Sequence, residues 1–311
     1  MGYRKKNTCL PVGRSNIKDQ ISKRSSVIFI FLLICLFYYL FKSITSSVFI
    51  KGRDKINMVF YGENTRFYSL DRKNINYLLF FPNSVKVIVP GGYGEYKVGA
   101  VGKLASLEKK PEIIGKTFSA VTATLVDLYF YPKKTTIYHQ DSPNNSNEIP
   151  AFKEIFLTNS NANLIDRLFL FYFFATNDRE DYQTIDLKPF ELGDGNAIFD
   201  HNSFYKKFQG SFFQKTYRNY DINVQIIYTK SYKTALLLSQ MIEGEGIRVV
   251  DLSIQNKFIQ GCLLTTNKKI SMTKTYQRLA DFFKCSLKIG ETTVSDIILQ
   301  LGDLEKEWAI N

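Results

Sequence analysis

Residues 223–250 read NVQIIYTKSYKTALLLSQMIEGEGIRVV, and this stretch decides the fold of the C-terminal part of the chain. NVQIIYT is rich in β-branched and aromatic residues and reads as a strand, whereas TALLLSQMIE has the length and composition of a helix. Gly244 and Gly246 are suited to ending that helix, and IRVVDLSI then reads as a second strand. The stretch therefore predicts a β-α-β unit.

The same alternation continues towards the end of the chain. GCLLTT reads as a strand, residues 271–284 have apolar side chains at helical spacing, and DIILQLG closes as a strand. The order β-α-β-β-α-β over residues 221–311 is typical of a small α/β sandwich with its helices on one face of the sheet.

Residues 56–213 predict a first domain of the same α/β (α+β) class. INMVFY, NINYLLFF and SVKVIV read as strands, Val98–Leu107 and 111–122 as helices, and 125–131 as a strand. The apolar run 164–174 is too short to span a membrane and predicts a buried helix. The boundary between the two domains falls at residues 214–221.

A long apolar run lies near the N-terminus. No charge interrupts residues 25–41, and beyond Lys42 the uncharged sequence continues to residue 50. A bilayer needs about 20 apolar residues in a helix, and Lys42 can extend its ammonium group to the interface. We predict a transmembrane helix over residues 25–50. A cleaved signal peptide is the alternative, although residues 1–24 are long for its basic leader and no A-x-A-like site follows.

The charge distribution indicates the orientation of that helix. The net charge of +12 at first suggests a nucleic-acid partner. Residues 1–24, however, carry seven lysines and arginines against Asp19 alone, so half of the excess lies in this tail. The positive-inside rule keeps residues 1–24 cytoplasmic and the bulk outside, as in a single-pass plasma-membrane protein. The remaining basic excess is mild, and no nucleic-acid partner is expected.

The four cysteines divide by location. Cys9 falls in the tail and Cys35 in the predicted span, whereas Cys262 and Cys285 lie in the exported part, where disulfides persist. Because helix ends pack close to strand ends in such a sandwich, a structural disulfide between Cys262 and Cys285 is reasonable. Two buried free thiols are the alternative.

Few residues form a catalytic pattern. The only histidines, His139 and His201, are far from each other and from any cysteine in the sequence, so no metal site is predicted. Residues 91–94 (GGYG) lack the Lys-Ser/Thr of a P-loop and predict a turn. Residues 194–196 (DGN) also predict a turn, because the further carboxylates of a calcium loop are missing.

The sequence also contains two groups of closely spaced acidic residues. Glu243 and Glu245 form one group, and residues 178–181 (DRED) form the other. Both are interpreted as solvated surface charges.

The whole layout resembles the LytR-CpsA-Psr envelope proteins, in which a basic tail and one span precede an α/β domain. Residues 223–255 and the closing DIILQLGDLEK resemble the LytR C-terminal domain. LLFFPNSVKVIVPGGYGEYKVGAV and the later VDLY at 126–129 resemble the catalytic-type domain of the same family. The resemblance implies an enzyme class that binds polyprenyl pyrophosphate with magnesium and transfers glycopolymer onto peptidoglycan.

The departures from that family change the expected function. Where the family has I-P-R-D, this chain has Phe81-Pro82-Asn83-Ser84, so Asn83 and Ser84 occupy the expected Arg and Asp positions. The chain then lacks a bidentate phosphate clamp and an anionic metal ligand. The resemblance therefore implies a non-catalytic relative without a cofactor, one that binds or scaffolds at the membrane and contacts cell-wall glycopolymer, polyprenyl lipid carrier or another envelope protein.

The alternative is an active glycopolymer transferase with a rearranged site that uses magnesium. Its candidate ligand-binding groups surround one turn: Lys86, Tyr93, Glu95, Tyr96 and Lys97. They can equally be surface residues of strand ends and loops.

Overall fold

The chain, seen in a computed structural model, is described over residues 15–71, 75–139, 148–193 and 197–310, with side chains from residue 29 onward. It divides into two compact units, Met1–Ser46 and Ser47–Asn311. The helices are α1 Ser15–Ser46, α2 Val98–Leu107, α3 Glu112–Thr122, α4 Phe152–Phe156, α5 Leu164–Thr176, α6 His201–Phe208, α7 Lys215–Asn219, α8 Tyr232–Gly244, α9 Lys274–Phe283 and α10 Leu304–Glu307.

The strands form three mixed sheets within the second unit. They are β1 Lys55–Phe60, β2 Thr65–Asp71, β3 Asn76–Phe81, β4 Lys86–Val89, β5 Gly94–Lys97, β6 Leu128–Tyr131, β7 Asn159–Ser160, β8 Tyr182–Ile185, β9 Glu191–Leu192, β10 Ile198–Phe199, β11 Asn223–Tyr228, β12 Arg248–Ile254, β13 Leu263–Thr266, β14 Ser286–Ile289 and β15 Ile297–Gln300. The mixed α/β class is as predicted.

The first unit contains the predicted apolar helix. Its segment Phe29–Ser46 is long and apolar enough to cross a membrane. Helix α1 begins at Ser15 rather than residue 25, because no Gly or Pro interrupts residues 15–24. It ends at Ser46 rather than residue 50, and Phe49 is buried in the core of the second unit. Residues 1–14 of the basic tail lie outside the described residues.

The first two sheets occupy the earlier part of the second unit. Their strand orders are β7-β6-β1-β2-β3-β8 and β5-β4-β10-β9, and β2 pairs with both β1 and β3 in antiparallel register. Strand β2 is absent from the sequence prediction, since it carries charged residues although every position in it is buried. Arg66 of β2 forms an ion pair with Glu154, which makes its burial tolerable.

Strand β6 is shorter than the predicted strand over residues 125–131. The backbone N–H groups of Leu125 and Val126 donate to side chains instead, to Glu245 Oε1 at 3.1 Å and Ser119 Oγ at 2.9 Å. With their donors occupied in this way, these residues stay outside the ladder.

The third sheet has the order β12-β11-β15-β13-β14. The predicted order β-α-β-β-α-β lacks β14, which lies between α9 and β15. All four residues of β14 are exposed, so its sequence has no buried face to reveal it. Ser231 caps α8 by accepting from Thr234 N, and Gly246 just beyond the helix has φ +94°, a conformation that glycine adopts freely.

Covalent and polar contacts tie the ends of this sheet together. Cys262 and Cys285 form a disulfide with a Cα–Cα distance of 4.8 Å. Burial disfavours the charged form of Glu305, yet hydrogen bonds from Thr229, Ser231 and Lys230 outweigh it and lower the pKa of the carboxyl. The charged Glu305 thereby fixes the loop between β11 and α8 to α10.

Helix α5 contradicts the prediction that it is buried. Only Asp166, Leu170 and Phe174 of this helix are buried. The prediction failed because length excludes a membrane span but does not distinguish a core helix from an apolar helix on the surface.

The residues that follow α1 are bonded to distant parts of the second unit. Ser47 Oγ donates to Asp166 Oδ1 of α5 at 2.7 Å. Lys51 Nζ lies 2.6 Å from Asp281 Oδ2 of α9. The first residues of the unit thus contact both α5 and its C-terminal part.

Candidate functional site

The five residues proposed for an active transferase lie on one hairpin. Strands β4 and β5 are antiparallel, with Lys86 opposite Lys97 and Ile88 opposite Glu95. Because alternate residues of a strand point to opposite faces, Lys86, Glu95 and Lys97 share one face with Ile88. The structure brings these three together.

The two tyrosines of the set are placed elsewhere. Tyr96 lies on the opposite face of β5 and packs against the core, and Tyr93 lies in the turn. Tyr93 OH donates to Glu108 Oε2 at 3.1 Å. Gly91 and Gly92 have φ +98° and +79°, as the predicted turn requires.

Asn83 and Ser84 also differ from each other in exposure. Asn83 is buried and donates from Nδ2 to the carbonyl of Glu63 at 2.6 Å, whereas Ser84 is exposed. A buried amide committed to the backbone cannot act as the phosphate clamp that the family pattern would place there.

A groove of about 400 Å³ lies between the hairpin and helix α8. Its apolar wall combines side chains from distant parts of the sequence: Ile88, Val121, Leu192, Phe199, Leu236 and Ile310. Its polar lining comes from α6 and α8: Asp200, His201, Asn202, Lys233 and Gln240. Leu236, at 37% exposure, is an apolar side chain of α8 left open to this groove.

Lys86 connects the predicted residues with the groove. Ile88 lines the groove and lies two residues from Lys86 on the same face of β4. Lys86 is not itself among the lining residues, and the ammonium group of the lining comes from Lys233. The groove thus combines an apolar wall with one ammonium group, Lys233, and one carboxylate, Asp200.

His201 and Asp200 are held in place by hydrogen bonds at the start of α6. His201 Nε2 lies 2.7 Å from Gln240 Oε1, and its Nδ1 lies 3.4 Å from the carbonyl of Val121. Ser203 donates to Asp200 from its hydroxyl and its backbone N–H, which lowers the pKa of Asp200. Both groups are thus hydrogen-bonded to the protein where they line the groove.

Metal binding finds no support in the part of the chain that the structure describes. There, no group of three His, Cys, Asp or Glu side chains is placed to hold a metal ion. Residues 194–196, predicted to form a turn, lie outside the described residues.

The acidic group at residues 178–181 is exposed, as predicted.

A buried charge network is the feature that sequence reasoning missed. Arg278 Nη1 lies 2.7 Å from Asp127 Oδ1, and its Nε lies 3.2 Å from Glu245 Oε2. Arg53 also pairs with Asp127, and desolvation, followed by the charge of Arg278, lowers the pKa of Arg53 to about 10. Glu245 is fully buried, so its interpretation as a solvated surface charge is wrong. Glu243 is partly buried and accepts from Tyr205 OH at 2.7 Å.

This network borders a larger cavity of about 660 Å³. Its lining holds equal numbers of basic and acidic residues, and several of them pair with one another, as Lys116 does with Glu307 at 2.8 Å and Arg278 with Asp127. Paired charges give no excess of one sign for a ligand. The network is therefore best understood as a contact that joins the earlier part of the second unit to its C-terminal part.

Comparisons of the chain with protein-family models, with curated proteins and with solved structures find no match.

Proposed function

We propose that this chain is a single-pass membrane protein of the cell envelope whose extracytoplasmic part binds an anionic lipid carrier without catalysis. The observation that carries the proposal is the groove between β4 and α8. An isoprenoid chain is apolar and its phosphate is anionic. The groove has an apolar wall with Lys233 in its lining, and the carboxylate of Asp200 in the same lining already accepts two hydrogen bonds from Ser203. Such a combination of apolar lining and few polar groups is typical of small-molecule sites.

The resemblance to LytR-CpsA-Psr proteins supports the same ligand class, since that family handles polyprenyl-linked glycopolymers. A non-catalytic role is supported by Asn83, whose amide donates to a backbone carbonyl. It is supported also by the hydrogen bonds that occupy Asp200 and His201. The chain would hold the carrier, or the glycopolymer attached to it, near the membrane.

The proposal is tested with the full chain in nanodiscs that contain a polyprenyl phosphate bearing a photoreactive group near its phosphate. Crosslinks are expected on α8 and at the start of α6. They should disappear in Leu236→Glu, because the new carboxylate disfavours the apolar isoprenoid chain and repels the phosphate. The matched control is Leu107→Glu, since Leu107 of α2 is 68% exposed and is not among the residues that line the groove. Crosslinks that survive Leu236→Glu would refute the site.

The same preparation separates binding from transfer. Incubation with a polyprenyl pyrophosphate and magnesium should release no phosphate above the blank. Release that is lost in Lys86→Ala and Lys97→Ala would instead establish that the hairpin hydrolyses the pyrophosphate and would refute the non-catalytic role.

The proposed orientation has its own test in intact cells. A membrane-impermeant maleimide should label an Asn256→Cys variant, because residue 256 is exposed in the second unit, and should leave Cys9 unlabelled. Labelling of Cys9 alone would mean the opposite topology.

A further inference from the structure

Helix α5 presents an apolar face to its surroundings. Over about half of its circumference the exposed side chains are uncharged and mostly large and apolar: Leu164 43%, Leu168 49%, Phe169 41%, Phe171 43% and Tyr172 69% exposed. The two charged residues of the helix, Asp166 and Arg167, point away from that face. An exposed apolar surface of this size marks an interaction site.

Neighbouring aromatic side chains extend this face. Phe152 of α4 is 55% exposed and packs edge-on against Phe171 with ring centroids 5.8 Å apart. Phe169 stacks on Phe49 with ring centroids 5.4 Å apart, and Ile50 beside it is 45% exposed. Phe49, Ile50 and Phe169 also line an apolar recess of about 360 Å³.

The chain itself indicates what covers this face. Helix α1 ends at Ser46, and the next two residues are bonded to α5: Ser47 Oγ and Val48 N donate to Asp166 Oδ1 at 2.7 and 2.9 Å. The N-terminal turn of α5 is therefore fixed directly to the residues that follow the candidate span. With no intervening linker, α5 cannot move far from the point where the chain leaves the bilayer.

We propose that α5 lies in the outer interface of the bilayer and forms a second membrane contact of the extracytoplasmic part. Its occupant is lipid, and the inference rests on the proposed membrane anchoring by α1. Aromatic and large aliphatic side chains suit that interfacial depth. The exposed acidic residues that follow the helix, Asp178, Glu180 and Asp181, must remain in water and so limit the insertion to a shallow one.

The test uses spin labels on the full chain in nanodiscs of phosphatidylcholine and phosphatidylglycerol. One label is placed at Ala175→Cys, an exposed position on the apolar face, in a background with Cys9→Ser and Cys35→Ser. A second sits on native Cys35 in the candidate span, with Cys9→Ser, and a control label sits at Asn256→Cys. Collision rates with oxygen, which concentrates in lipid, and with a water-soluble nickel chelate report the surroundings of each label.

The label at residue 175 should show the oxygen preference of a lipid environment, weaker than that at Cys35, while the label at residue 256 should prefer the nickel chelate. Preference for nickel at residue 175 would overturn the inference. Poor access for both reagents there would also overturn it, because that result means a protein partner or a second copy of this chain. The label on Cys35 distinguishes failure of this inference from failure of the proposed membrane anchor. Lipid exposure at Cys35 with water exposure at residue 175 rejects only the contact of α5 with the bilayer. Water exposure at Cys35 rejects the anchor itself.

Discussion

Replacing Arg278 by Met should destabilise the second unit strongly, because it breaks the buried charge network. The Arg278 side chain is 3% exposed and forms ion pairs with both Asp127 and Glu245. Methionine keeps most of the apolar stem but leaves Glu245 without its guanidinium. Removing one partner of a buried ion pair costs about 3–5 kcal/mol.

The structure places the expected loss at the lower end of that range. Asp127 keeps Arg53 as an ion-pair partner, and Glu245 keeps hydrogen bonds from Thr124 and the backbone of Leu125. We therefore expect a loss of about 3 kcal/mol. In a unit of this size each kcal/mol lowers Tm by about 2–4 °C, so Tm should fall by roughly 10 °C.

Thermal unfolding of the full chain in mild detergent, followed by near-ultraviolet circular dichroism, measures this change. Arg248→Met is the matched control, since Arg248 and Asp221 are 3.7 Å apart with side chains 52% and 75% exposed. Exposed pairs contribute about 0–1 kcal/mol, so this control should keep nearly the parent Tm. Adding Glu245→Gln to Arg278→Met should cost less than the two separate losses combined. Equal Tm values for Arg278→Met and Arg248→Met would refute the reasoning.

Three further perturbations test other parts of the fold by the same Tm measurement. Replacing both Cys262 and Cys285 by Ala opens a link between residues 23 apart and should cost about 3 kcal/mol, and the parent under reductant should behave alike. Because the folded-state pKa of Glu305 is lowered, its stabilisation is full above its ordinary pKa of 4.5 and is lost as pH falls through the folded value; Glu305→Gln should therefore lower Tm at neutral pH and approach the parent in acid. Gly244→Ala would place a Cβ 1.8 Å from a backbone carbonyl and should cost about 1–3 kcal/mol, whereas Gly62→Ala, with nothing within 4 Å, should cost little. A larger loss of Tm in Gly62→Ala than in Gly244→Ala would contradict the close contact at Gly244. A loss of Tm in acid that is the same in Glu305→Gln as in the parent would contradict the role of Glu305.

The sequence predicted correctly those helices and strands whose apolar spacing and end residues lie within one short stretch. The helix Val98–Leu107 has the predicted bounds because its apolar spacing and its flanking residues lie within one short stretch. Strand β2 could not be predicted in this way. Its Arg66 looks solvent-exposed in the sequence, and it becomes buried only because Glu154, far along the chain, neutralises it.

The candidate site depends on distant residues to a greater extent. Phe199 and Leu236 line the same groove, although nothing in the sequence indicates that α6 and α8 approach each other. Glu245 follows a glycine and resembles a surface residue, yet it is buried by Arg278 and the loop before β6. The sequence could place Lys86 and Lys97 near each other because their turn is local, whereas it could not indicate the groove that Ile88 lines.

The short segment after α1 has a mechanical consequence. Ser47 is bonded to α5 and Lys51 to α9, so a force that reaches the second unit through its N-terminus meets two separate attachment points one after the other. Tension on helix α1 would then have to break the contact of Ser47 and next that of Lys51 before β1 is peeled from its sheet. The residues between α1 and β1 would thus protect the first sheet from a pulling force.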